Sequence, residues 1–247
     1  MTNRPVYQQI ADDLSEQITS GAIPAGDRIP SRSELRTRYG ASDQTVDRAV
    51  RLLKAAGQVD GQFGRGVFVR DRTPLGILHR SPNRPVEGSP YAADIASQGM
   101  RPSWESSSET AECPPHIAER LGIAAGDRVM CTQYEYVADR RPVQLATSWE
   151  PLELTEGTDI VFPERGAHAG LGVRARMAVL GITDLVAREL VGSRPATTTE
   201  AETLGCSPGQ WVTAIERTFT TKDGRAVETA DIAVRADQWR LEYTIPA

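Results

Sequence analysis

Apolar residues recur every four positions at Val6, Ile10, Leu14 and Ile18, with Asp12, Asp13 and Glu16 between them, so the chain opens on an amphipathic helix that ends at Gly21. Pro5 suits its first turn. An extended IPAGDRIP segment follows, then Ser31 and Glu34 at the spacing of a capping box, an apolar stripe of Leu35 and Tyr39, and a stop at Gly40. Ser42 caps a further helix in which Val46, Ala49, Val50 and Leu53 share one buried face. After Gly57 the pattern is that of a hairpin, with Gly61, Gly64 and Gly66 before Val67, Phe68 and Val69, and Arg65 at its tip.

From Asp71 to Pro90 no period persists in DRTPLGILHRSPNRPVEGSP, which places an interdomain linker over residues 73–88 and an exposed His79 within it. Domains are thus expected over residues 1–72 and 89–247. A short helix spans Pro90 to Ser97, ended by Gly99. Beyond it the chain echoes itself: AERLGIAAGDRV, Ala118 to Val129, is answered by AETLGCSPGQWV, Ala201 to Val212. Each copy reads as a helix end, a glycine stop, a turn and a strand that returns through a hairpin. Two like halves in one antiparallel sheet are expected, with a cleft between them. Between the copies, Gly170 to Leu180 fits a helix, and Ile182 to Val191 fits a strand or a helix equally. The architecture expected is α+β in two domains.

In the helix after Ser42, the side away from the valines carries Gln44, Arg48 and Arg51, with Asp43 and Asp47 on its flank. Glutamine pairs with adenine through two hydrogen bonds, and arginine with guanine or a phosphate, so this side is suited to reading base edges. Two short helices joined by a tight turn, then a glycine-tipped hairpin, put such a helix into a DNA groove. Asp43 and Asp47 are expected either to trim non-specific affinity for DNA or to pair with neighbouring arginines rather than to ligate a metal, since no His or Cys accompanies them.

Charge supports this only by its direction. Residues 1–72 hold eleven basic and nine acidic side chains, whereas the remainder holds seventeen basic and twenty-four acidic, for a net charge of −5 overall. Cys113, Cys131 and Cys206 have neither paired nor metal-ligand spacing, and no run approaches a membrane span, so a cytoplasmic protein with reduced thiols and no cofactor is expected. His79, His116 and His168 lie in no catalytic motif.

PVYQQIADDLSEQITSGAIPAGDRIPSRSEL, YGASDQTVDRAVRLL and GQFGRGVFV together resemble the winged helix-turn-helix domain of the GntR family of bacterial transcription regulators, from Arg4 to about Arg70. The resemblance implies DNA contacts from Arg32, Ser33, Ser42, Gln44, Thr45, Arg48, Arg51, Gly64 and Arg65. Two departures stand out: Asp43 and Asp47 occupy positions that are usually basic, and the arginine often found after PSE is displaced to Arg32, leaving Ser33 in its place. The second half, from Ser89 to Pro246, resembles more loosely the UTRA effector-binding domain of the HutC subfamily, whose fold is similar to chorismate lyase; YAADIASQGMRP, ADRRPVQLATSWEP and KDGRAVETADIAVRADQWRLEY carry the likeness.

That likeness implies a small effector in the cleft, a homodimer joined through this domain, and release from operator DNA on binding. Sugar-phosphate sensors of the subfamily have two arginines where Tyr134 and Tyr136 stand here, and an acidic residue where Ala146 stands. The effector is therefore expected not to be a sugar phosphate but an uncharged, partly apolar molecule. Tyr91, Tyr134, Tyr136 and Glu228 are the expected effector contacts, with Trp149 in the core. A double-stranded-DNA-binding repressor is thus expected, and no enzyme; the competing readings are a repressor without a ligand and a lyase-like enzyme.

Overall fold

The computed structural model describes residues 4–62, 66–70, 76–80, 88–207 and 209–245, which fall into two compact units, Met1–Pro74 and Leu75–Ala247. In the first unit α1 (Val6–Thr19), α2 (Arg32–Tyr39) and α3 (Asp43–Ala55) precede a hairpin of β1 (Val59–Gln62) and β2 (Gly66–Val69). Local chemistry sets these limits. Ser31 Oγ accepts from the Glu34 amide while Glu34 returns a carboxylate to the Ser31 N–H, so the capping box is complete. Gly40 closes α2 in the left-handed region at φ 60°, and Ser42 caps α3.

Ile10 and Leu14 of α1, Leu35 of α2, and Val46, Ala49 and Leu53 of α3 meet in one core, closed by Val59 and Val69. Val6 lies at the rim and is exposed. The Tyr39 hydroxyl and Arg38 both donate to Asp13, which ties α1 to α2. Burial and this carboxylate raise the Tyr39 phenol to about 12. The extended segment before α2 runs against the hairpin, with the Ile29 amide donating to the Val67 carbonyl and the Val69 amide to that of Asp27.

The second unit contains β3 (Gly76–His79), α4 (Pro90–Ser97), β4 (Pro102–Glu112), α5 (Pro115–Leu121), β5 (Arg128–Ala138), β6 (Arg141–Pro151), α6 (Leu152–Thr155), α7 (Val173–Val179), β7 (Val186–Pro195), α8 (Thr198–Thr203), β8 (Trp211–Thr220), β9 (Ala226–Arg235) and β10 (Trp239–Glu242). Six strands form an antiparallel sheet in the order β4-β5-β6-β9-β8-β7, and β3 pairs in parallel with β10. The sheet is two three-stranded halves joined at β6 and β9, with α5 and α8 before the equivalent strands β5 and β8, as the sequence echo requires. Even the irregularities correspond: the register shifts after Tyr136 in β5 and after Phe219 in β8. The ambiguous stretch after α7 resolves as the edge strand β7.

The expected linker over 73–88 is corrected by β3. Trp239 covers Gly76 so closely that a Cβ there would sit 2.1 Å from the indole, and only glycine lets the strand pass. The partner strand lies more than a hundred residues away, so neither alternation nor a nearby turn announces this pairing. His79 is corrected with it. Rather than exposed in a linker, it is half-buried in β3, its Nδ1 2.5 Å from Asp94 Oδ1 and its amide donating to Asp94 Oδ2 at 2.9 Å. Trp149 packs half-buried beside Ile117 and Val129.

Candidate functional site

The first candidate surface is the outer side of α3. Burial of Val46, Ala49 and Leu53 turns Gln44, Arg48 and Arg51 outward, and all three are exposed. The Arg48 guanidinium is held over the Tyr7 ring, 3.9 Å from its centroid, so its position is fixed by α1. Arg51 Nε reaches the Asp47 carbonyl at 3.3 Å. Ser42 and Thr45 lie at the start of α3 with their hydroxyls 2.9 Å apart, and Ser33 sits on α2 with its hydroxyl 3.0 Å from that of Ser31. Gly64 and Arg65 lie outside the described residues.

The two unusual aspartates are paired, as the sequence leads one to expect. Arg32 Nε lies 2.8 Å from Asp47 and Arg36 Nη1 lies 3.3 Å from Asp43, both pairs bridging α2 and α3. These groups are well exposed, so the pairs add little to stability. Their effect is electrostatic: two cations on this surface are already partnered within the chain.

The second candidate is a cavity of about 540 Å3 on one face of the six-stranded sheet. Alternation places its floor. Tyr134 and Tyr136 of β5, Ala146, Ser148 and Glu150 of β6, Glu228 and Ala230 of β9, and Arg217 and Phe219 of β8 all point into it. Tyr91 of α4 completes an aromatic wall: its ring centroid is 4.6 Å from that of Tyr136, which in turn stacks on Tyr134 at 5.4 Å and 15°. Ala146 stands directly across from Tyr134 in the ladder, where a small side chain leaves the ring room. Burial raises the phenols of all three tyrosines, so they remain protonated donors at neutral pH.

The four expected effector residues, Tyr91, Tyr134, Tyr136 and Glu228, therefore come together around one space. Sequence reading missed the charges beside them. Glu228 is fully buried, and its Oε1 accepts from Arg217 Nη2 at 2.9 Å and from Ser148 Oγ at 2.8 Å. Arg176 of α7 meets Glu150 through two hydrogen bonds, 2.5 and 2.9 Å, and donates to the Ile160 carbonyl. Arg80, just after β3, pairs with Glu189 of β7 at 2.7 Å. The echo holds a signal for two of the missed residues: laying Val129 on Val212 places Tyr134 on Arg217 and Tyr136 on Phe219, so one half's cavity residues mark the other's.

Among the described residues no helix is long and apolar enough to cross a membrane. The family model for bacterial regulatory proteins of the gntR family matches residues 6–69, and that for the UTRA domain matches residues 97–240. An HTH-type transcriptional regulator of Streptomyces coelicolor is 29% identical over 254 residues, covering 98% of this chain and 94% of the relative. The mannosyl-D-glycerate transport/metabolism system repressor MngR of Escherichia coli is 27% identical over 154 residues, 62% of each chain. A crystal structure of a GntR-family transcriptional regulator superposes with a TM-score of 0.71 at 40% identity, covering 99% of this chain and 98% of that one. PhnF from Mycobacterium smegmatis shares the fold at 19% identity, with a TM-score of 0.59 over 96% of this chain and 99% of its own. These matches span both units, the one with its outward-facing α3 and the one whose sheet floors the cavity, and the chain belongs to the GntR family of bacterial regulatory proteins, as a DNA-binding transcriptional regulator with a C-terminal UTRA domain.

Proposed function

We propose that the chain is a homodimeric repressor that reads a twofold-symmetric operator with α3 and leaves it when a small effector fills the cavity. The observation that carries this reading is the place of β3. It is the first element after the DNA-binding unit in sequence, and its Leu78 and His79, with Arg80, form part of the cavity wall. A ligand that prefers one arrangement of that wall biases the segment leading to the DNA-binding unit, and differential affinity is all that such a switch requires. For the dimer, support comes from the sheet edge. Val186, Leu190 and Val191 of β7 and Trp211 of β8 are each about half exposed, and an uncovered apolar edge invites a partner strand, which a second copy supplies.

We read the cavity as a receptor rather than an active site. Its arginines and glutamates largely satisfy one another, and His79 is held between two carboxylates, Asp94 and Glu242.

Fluorescence anisotropy on DNA from upstream of its own gene, set against random duplex as salt is raised, tests the reading. Specific binding is expected to exceed random binding by about a thousandfold or more. Equal affinity for both sinks the repressor reading. A second prediction concerns Asp47. Its pairing with Arg32 withholds a cation from the phosphates, so Asp47→Asn is expected to steepen the dependence of log K on log salt by about one for each protomer, about two for the dimer, on random DNA. An unchanged slope would show that Arg32 does not meet the backbone.

A further inference from the structure

The effector's chemical class follows from which polar groups of the cavity are left over, and this inference rests on the effector-site reading above. Among the described residues, five carboxylates and four guanidiniums line the space. Glu150 engages Arg176, Glu228 engages Arg217, and Glu189 engages Arg80. Arg174, on the first turn of α7, is different. It is half-buried, and among the described residues its contact is the ring of Phe219, 5.4 Å from guanidinium carbon to centroid, with no carboxylate in an ion pair. Desolvation lowers its pKa, which means that burial there disfavours the charge. An anion placed against it would offset that cost.

The second unspent group is an acceptor. Glu228 Oε1 is saturated by Arg217 and Ser148, whereas its Oε2 is buried and has no hydrogen-bond partner among the described residues. Phe219 faces Glu228 in the β8–β9 ladder, so the ring beneath Arg174 and this oxygen belong to one patch of the cavity wall. Because Arg217 already neutralises Glu228, a further ammonium would bring a second cation beside that guanidinium. A hydroxyl or a neutral N–H fits there instead. The third feature is the flat wall of Tyr134 and Tyr136, stacked at 15°.

We propose that the effector is a small monocarboxylate on a planar apolar body: its carboxylate lies on Arg174, its hydroxyl or neutral N–H donates to Glu228 Oε2, and its body lies along the Tyr134–Tyr136 wall. A carboxylate suits a single guanidinium, which holds both its oxygens. A phosphate dianion suits this cavity poorly, because among the described residues the carboxylates outnumber the guanidiniums and Arg174 alone of the guanidiniums has no ion pair. This assignment keeps the aromatic walls of the sequence-based expectation and differs from it in giving the ligand one anionic anchor.

Calorimetric titration of the full chain with 4-hydroxyphenylacetate, its uncharged amide, phenylacetate and glucose 6-phosphate tests the assignment. The hydroxy acid is expected to bind about tenfold or more tightly than the amide, and also than phenylacetate, the change that one charge-assisted or buried hydrogen bond carries. In Arg174→Gln, checked for an unaltered melting curve, acid and amide are expected to come within about twofold of each other. Tyr134→Ala reports the site itself by weakening every probe alike. If the amide or the sugar phosphate matches the acid, or if Arg174→Gln keeps the preference for the acid, the class is wrong while the cavity stands as the effector site. If no probe binds, or binding ignores Tyr134→Ala, the effector-site reading falls and the class with it.

Discussion

Arg176→Met should lower the stability of the second unit by about 3–5 kcal/mol, because it strands Glu150 in the interior without its counter-charge. Both side chains of the pair are only 2% exposed, and the guanidinium also satisfies the Ile160 carbonyl, so three acceptor atoms lose their donor at once. For a unit of this size the loss corresponds to a fall in Tm on the order of 10 °C. The sign of the pH dependence identifies the cause. Burial already pushes the Glu150 carboxyl up from the usual range, and removing Arg176 removes what opposes that shift. A carboxyl whose folded pKa is raised favours the fold while protonated and loses that contribution as pH rises through the folded value. The variant should therefore regain part of its stability on mild acidification, and Arg176→Met combined with Glu150→Leu should melt well above the single variant. Thermal melts at several pH values check this. A single variant that melts like the parent at neutral pH would show that the pair is not holding a charge in the interior.

Gln44→Ala should reduce operator affinity by about 1–3 kcal/mol for each half-site, with little change on random DNA. The residue is exposed on the first turn of α3, and Ser42, which caps the helix, fixes the turn that carries it. If two copies of α3 meet a twofold site, the losses combine to roughly 2–6 kcal/mol, a factor of at least about thirty. Glutamine carries no charge, so the salt slope should stay where it was. Binding curves on operator and random duplex at two ionic strengths separate these effects. An equal loss on both duplexes would place Gln44 outside base readout.

The DNA-binding unit was almost wholly legible because its signals are local. A capping box, a left-handed glycine and a four-residue apolar stripe each span a few positions and need no distant partner, so α1, α2 and α3 follow from spacing alone. Asp13 was the exception, since its partners Arg38 and Tyr39 lie on another helix. In the second unit the echo gave the paired strands for the same reason: two copies of one local pattern. What escaped depends on distance. Strand β3 has no alternation and finds β10 far along the chain, while Arg174 lies on a helix that spacing could place but whose packing against Phe219 it could not. Tyr134 and Tyr136 fall on one face by their two-residue spacing, but the charges around them come from β6, β8 and α7 and from the residue after β3, whose packing no short pattern reveals.

The pairing of β3 with β10 also governs how the molecule is made. During synthesis, residues 4–70 are complete while the second unit has scarcely begun, and Gly76–His79 must wait for Trp239–Glu242 to emerge. Until then the indole that covers Gly76 does not exist and one rim of the cavity is open. A nascent chain thus carries a finished reading head before it has a receptor, and a version beginning at residue 89 would never obtain one with a closed rim.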